Sequence, residues 1–82
     1  LPRPLFEILG PIRNVRVIAS GPSVRIRKYL RAQFGGRDWR KMKGEALVRD
    51  IKGEIYEAEI HWFEAHGLGH RLERIKRSLN RS

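Results

Sequence analysis

Apolar residues along the 82-residue chain recur with two different periods, and the switches between them mark out the elements. In residues 14–20, NVRVIAS, Val15, Val17 and Ala19 alternate with Arg16, Ile18 and Ser20, which predicts a short strand. Over residues 24–34 the period lengthens. Ile26, Tyr29, Leu30 and Phe34 fall on one helical face, Arg25, Arg27, Lys28 and Arg31 occupy the rest, and Gly35-Gly36 supplies the stop. Ser20 or Ser23 is the expected N-cap, with Pro22 near the first helical position.

Alternation returns in residues 45–64. Asp50-Ile51-Lys52-Gly53 reads as a hairpin turn with Asp first and Gly last. On its second arm Tyr56, Ala58, Ile60 and Trp62 share one face, while Glu57, Glu59, His61 and Phe63 share the other. On its first arm Ala46 and Val48 alternate with Glu45, Leu47 and Arg49. One face is therefore core. Past the glycine-hinged HGLGH segment, Leu72, Ile75 and Leu79 have helical spacing, yet the run from Arg71 to Arg77 also suits a closing strand; the expectation is a strand to about Arg77 with frayed residues beyond. At the other end, Leu5, Phe6, Ile8 and Leu9 predict either a short helix stopped by Gly10-Pro11 or a loosely packed linker remnant.

The order (helix)–strand–helix–strand–strand–strand gives an α+β class: a small, mainly antiparallel sheet with one basic amphipathic helix packed on it. The length suits one domain over residues 1–82, its core within 14–79 and residues 1–13 appended. No apolar run approaches the roughly 20 residues of a membrane span. With no cysteine, neither a disulfide nor Cys-bound zinc can staple the chain. The first residue is Leu rather than Met, which fits a piece of a longer protein.

Charge sharpens the picture. Eighteen Lys and Arg against nine Asp and Glu leave +9, an imbalance that attracts polyanions. It is segmented: residues 1–44 and 67–82 are strongly basic, and the hairpin between them is acidic. A disordered basic tail would not be punctuated in this way. The four cations of residues 24–34 have no acidic partner on their own helix, so that face reads as phosphate-facing. Trp39 stands among cations in RDWRKMKG; burial statistics favour a core anchor, and the alternative is a platform on which a base stacks. The carboxylates Glu57 and Glu59 argue against a uniformly phosphate-binding sheet, unless they face away or are neutralised by Arg25, Arg27 and Lys28 of the helix.

All three histidines, His61, His66 and His70, lie in the segment HWFEAHGLGH with Glu64 among them, and Arg71, Arg74 and Lys76 follow. Metal-independent RNA cleavage needs a base for the ribose 2′-hydroxyl, an acid for the leaving oxygen and cations for the charge developing on phosphorus. His61, Glu64 and His66 are the acid–base candidates. Arg71, Arg74 and Lys76 are phosphate ligands, with Lys41, Lys43, Arg27, Lys28 and Arg31 as further RNA-binding cations. A second reading is a metal site, His61-x-x-Glu64-x-His66 with His70 as a further ligand, but the spacing does not match HExxH, and on a strand His61 and Glu64 point to opposite sides; no metal or other cofactor is expected. A third is structural: His61 decorates the outer face, His66 caps a turn and Glu64 pairs with an arginine.

The layout resembles the compact nucleases grouped around barnase, EndoU, the tRNA-cutting colicins and RelE, which often form the C-terminal toxic domains of bacterial polymorphic and contact-dependent toxins. The similarity spans residues 23–77 as topology, and as sequence texture the stretch EAEIHWFEAHGLGHRLERIK. It implies a metal-independent endoribonuclease acting on tRNA or other structured RNA in the cytoplasm of a target bacterial cell. It further implies delivery within a larger secreted protein, and a monomer apart from an acidic immunity or antitoxin protein. Two other functions are compatible with the residues: a non-catalytic RNA- or DNA-binding module, and an interaction domain for an acidic protein without nucleic acid.

Overall fold

The computed structural model describes residues 5–79. Its elements are β1 (Phe6–Ile8), β2 (Arg13–Ser20), a 3-10 turn (Gly21–Ser23), α1 (Arg27–Phe34), β3 (Arg40–Asp50), β4 (Ile55–Ala65) and β5 (Gly69–Ser78). All pairings are antiparallel. β3 is central: β4 lies along one side, while β2 and β1 share the other, β2 beside the start of β3 and β1 beside its end. β5 completes the sheet on the far side of β4.

Among the described residues the expected mainly antiparallel sheet with one helix is observed. The β3–β4 hairpin turns where its residues predict. Asp50 Oδ1 accepts the backbone N–H groups of Lys52 and Glu54, and Gly53 adopts φ +87°, a conformation that favours glycine. The tail is a strand from Gly69 to Ser78, so pairing with β4 prevails over the helical spacing of Leu72, Ile75 and Leu79. The fraying expected at the extreme C-terminus, like most of the expected first helical turn, lies outside the described residues.

Three expectations are corrected. The apolar cluster near the N-terminus forms no helix: Phe6–Ile8 pairs with Val48 to Asp50 as an edge strand, because its Phe6 and Ile8 pack against the core only when extended along β3. The helix is shorter than its apolar period, beginning at Arg27 after an Ile26 N-cap, and neither Ser20 nor Ser23 supplies a capping hydrogen bond. Of its apolar face only Leu30 and Phe34 turn inward; Ile26 and Tyr29 are exposed.

Two cores result. On one face of the sheet Met42, Ala46, Val48, Ala58, Ile60 and Trp62 are buried, with Phe6, Ile8, Ile12, Tyr56 and Ile75 packed against them as the sheet curls. Gly44 lies in this layer because a β-carbon there would sit 2.5 Å from Ile12 Cγ2 and 3.2 Å from Trp62 Cη2. The opposite face is covered at one end only, where Val24, Leu30, Trp39 and Ala65 are buried with Ala19, Phe34, Phe63 and Leu68 around them. Trp39 is the anchor of this second core, 2% exposed, with Nε1 donating to the Gly35 carbonyl at 3.0 Å. The alternative of Trp39 as a base-stacking platform is therefore corrected: its rings are already enclosed by protein. Among the described residues no helix is long and apolar enough to cross a membrane.

Candidate functional site

Cross-strand pairs in an antiparallel sheet share a face, so the register arranges the uncovered part of the second face into rows. One row reads Arg16, Lys43, His61, Arg74 across β2, β3, β4 and β5. On one side of it lies the row Arg13, Glu45, Glu59, Arg77, and on the other the row Ala19, Lys41, Phe63, Arg71. Neighbouring rows are about 7 Å apart along a strand.

Two carboxylates of this face, Glu57 and Glu59, are paired with arginines, and a third, Glu45, is hydrogen-bonded by a neutral amide. Arg13 pairs with Glu57, Arg77 donates to Glu59 at 3.1 Å, and Asn14 donates to Glu45 at 2.9 Å. The neutralising groups come from the edge strands β2 and β5, and not from Arg25, Arg27 and Lys28 of the helix region. Exposed pairs of this kind add little stability. Their consequence is electrostatic: they offset Glu57 and Glu59, so that cations outnumber the remaining carboxylate, Glu45, on this face. Among the described residues none of Arg16, Arg25, Lys41, Lys43 and Arg74 has a carboxylate within ion-pair distance.

His61 sits at the centre, 8% exposed. Its Nε2 lies 2.8 Å from Glu59 Oε2, while Nδ1 is buried with no partner. That hydrogen bond holds the Glu59 carboxyl below its ordinary range; burial opposes the shift, and the Arg77 guanidinium adds to it. An ionised Glu59 can only accept, so Nε2 carries the proton and a neutral His61 presents Nδ1 as a bare acceptor.

A cavity of about 500 Å³ opens beside this imidazole, between the sheet and the segment that leads into α1. Ser23, Arg25, Lys41, His61 and Arg74 are its polar residues, and Ile18, Ile26, Phe63 and Leu72 are prominent in its apolar wall. Both edge strands are bulged here. The β2 register shifts between Val17 and Ala19, which displaces Ile18, and the β5 register shifts between Arg71 and Arg74, where Leu72 adopts φ +57°. Bulges re-aim side chains that regular pairing would send elsewhere.

Of the expected acid–base groups, only His61 occupies this site. Glu64 lies on the opposite face, where it accepts from Trp62 Nε1 at 2.9 Å and from Arg40 at 3.1 Å. His66 is in the β4–β5 turn and borders a different cavity with Ser20, Gly21, Asp38 and Arg40. His70 stacks on Trp62 at 4.6 Å between ring centroids and contacts Glu73 at 3.0 Å, again away from His61. The convergence of His61, Glu64 and His66 is thus corrected: neighbours of odd separation on one strand face opposite ways, and the turn carries His66 beyond both.

The cations divide similarly. Lys41, Lys43 and Arg74 gather at His61. Arg71 is on the same face but turns its guanidinium over the Phe34 ring, 5.3 Å from its centroid, and bonds the His70 carbonyl. Lys76 is the unpaired, exposed residue of a second β5 bulge. Arg27 and Arg31 border a separate cavity with Arg37 and Trp39, and Lys28 lies beside Arg31 on the outer side of the helix. The residues missed by sequence reasoning are Glu59 and Arg16, together with the apolar pair Ile18 and Leu72. Glu59 was legible as the i−2 neighbour of His61 on the same strand face; the bulged pair had no sequence signal.

Among the described residues no group of three or more His, Asp and Glu side chains is arranged to hold a metal ion. Comparison with protein-family models, with curated proteins and with solved structures finds no match to the chain.

Proposed function

We propose that the domain binds RNA on the cationic row and cleaves it by acid–base chemistry centred on His61, as an endoribonuclease that needs no metal ion. One observation carries the reading: an imidazole held by a carboxylate, with its other nitrogen unpartnered, stands among cations that have no carboxylate of their own. Glu59 orients His61 and would stabilise the imidazolium formed when Nδ1 takes the ribose 2′-proton. The 2′-oxygen then bonds to phosphorus, the bond from phosphorus to the 5′-oxygen breaks, and the Lys41 ammonium donates the proton that the leaving oxygen requires. The products are a 2′,3′-cyclic phosphate and a free 5′-hydroxyl. Arg74, Lys43 and Arg16 hold the phosphate and offset the charge developing on it.

The wider proposal is a nuclease of the barnase, EndoU, colicin and RelE kind. It would act on tRNA or other structured RNA in the cytoplasm of a target bacterium after delivery within a larger protein, with an acidic protein as its inhibitor. The +9 charge and the unpaired cations support that reading.

A second reading, a non-catalytic RNA-binding module, is favoured by the burial of His61 Nδ1, which a substrate hydroxyl must first uncover. Incubation of the purified domain with total tRNA in EDTA, followed by gel electrophoresis, separates the two. The nuclease gives discrete cuts that His61→Ala abolishes while tRNA binding persists. Tight, salt-sensitive binding with no cuts at any protein concentration establishes the binding module instead.

A further inference from the structure

We infer that the cavity beside His61 is a nucleobase pocket, so that the domain engages an unpaired nucleotide and not a continuous duplex. The inference rests on the proposed RNA-binding role of this face and specifies which form of RNA it takes.

A surface that bound only the sugar–phosphate backbone would need cations and little else. This cavity is different. Its apolar wall is assembled from three directions: Phe63 from the sheet, Ile26 from the segment before α1, and Ile18 and Leu72 from the two edge strands. Ile18 and Leu72 reach it through bulges on opposite edges, one of which holds a leucine at φ +57°. Positive φ is uncommon for a residue with a side chain, and this one leaves an apolar group 44% exposed at the cavity. Neither Ile18 nor Leu72 belongs to either core.

The polar groups complement a nucleotide rather than a lipid or a peptide side chain. Lys41, Arg25 and Arg74 supply the positive charge for a phosphate. The Lys41 ammonium lies 5.9 Å from the centre of the Phe63 ring, so an aromatic surface and a cation already stand side by side. His61 lines the cavity, and its Nδ1, buried and without a partner, can hydrogen-bond a base edge or a ribose hydroxyl once a ligand uncovers it. A volume of about 500 Å³ accommodates one nucleotide but not a base pair with both its strands. Bases enclosed in such pockets must first leave their stack, which selects loops, bulges and ends of RNA.

The test is binding of small probes, which requires no cleavage. Adenosine, cytidine, guanosine and uridine 5′-monophosphates and ribose 5-phosphate are each titrated into the ¹⁵N-labelled domain. At least one nucleotide should bind about tenfold more tightly than ribose 5-phosphate, with shifts in the amides of Ile18, Phe63 and Leu72. Leu72→Asn keeps a residue that tolerates positive φ and removes the apolar wall. It should erase the advantage of the nucleotide while leaving ribose 5-phosphate binding unchanged. Equal affinities for all five probes, or a loss in Leu72→Asn shared by ribose 5-phosphate, overturns the pocket. The tRNA assay fails independently: cleavage without a contribution from the base removes the pocket and spares the nuclease, whereas base-dependent binding without cleavage does the reverse.

Discussion

The two faces of β4 are built from alternate residues of one strand and have opposite chemistry. On one, Ala58, Ile60 and Trp62 are almost wholly enclosed. On the other, Glu59, His61 and Phe63 stand under a layer that covers only one end of the sheet. A domain this small has little apolar surface to bury. It uses one face and the helix-covered corner for stability, and the remainder is free to carry unpaired charge. The unpaired cations are tolerated because the core beneath them does not depend on them.

The sharpest way to break this comparison is to truncate adjacent residues. Trp62→Ala should cost about 3–5 kcal/mol, comparable to the entire stability of a small domain, and leave the chain unfolded by circular dichroism. His61→Ala, one position away, should keep the fold and lower tRNA cleavage by about 10²-fold or more. If His61→Ala unfolds the domain as Trp62→Ala does, the two faces are not separate in function.

A smaller effect probes the enclosed face alone. Gly44→Ala drives a methyl against Ile12, the Arg13 carbonyl and Trp62. It should lower stability in urea by about 1–3 kcal/mol. RNA affinity of the folded fraction should not change.

The charged face is read through salt. Lys43→Ala and Arg74→Ala should each reduce the slope of log affinity against log salt by about one, weakening binding without regard to sequence. Lys52→Ala, in the hairpin turn at the far end of the sheet, is the control and should leave the slope unaltered.

The smallest predicted effect is in acid. Because Glu59 has a folded pKa below its ordinary value of 4.5, the stability it contributes is complete above that value and is lost as the pH falls through the lower, folded one. Glu59→Gln should therefore be less stable than the parent near neutrality, with the difference shrinking below pH 4.5 in urea titrations. A constant difference across that range would show that His61 and Arg77 do not hold the ionised carboxylate.

Much of the fold was legible because it is local. The Asp50–Gly53 turn, the alternation of Tyr56 through Trp62 and the glycines after α1 each encode their own conformation, and the anchoring of Trp39 followed from its size. The site was less legible. HWFEAHGLGH gathers three histidines within ten residues, yet strand alternation and a turn send them to three places. Closeness in sequence was the wrong signal, because partners on a sheet come from other strands.

By itself, the order of residues determined a basic, cysteine-free α+β domain, its hairpin, the inward face of β4 and the presence of unpaired cations. Tertiary structure decided which cations meet. Arg16, Lys43, His61 and Arg74 come from four strands, and only the register of three pairings sets them in one row. It also decided that Arg13 and Arg77 neutralise Glu57 and Glu59 and that two bulges bring Ile18 and Leu72 to one cavity. Register and bulges arise from packing between strands distant in sequence, so no local period encodes them.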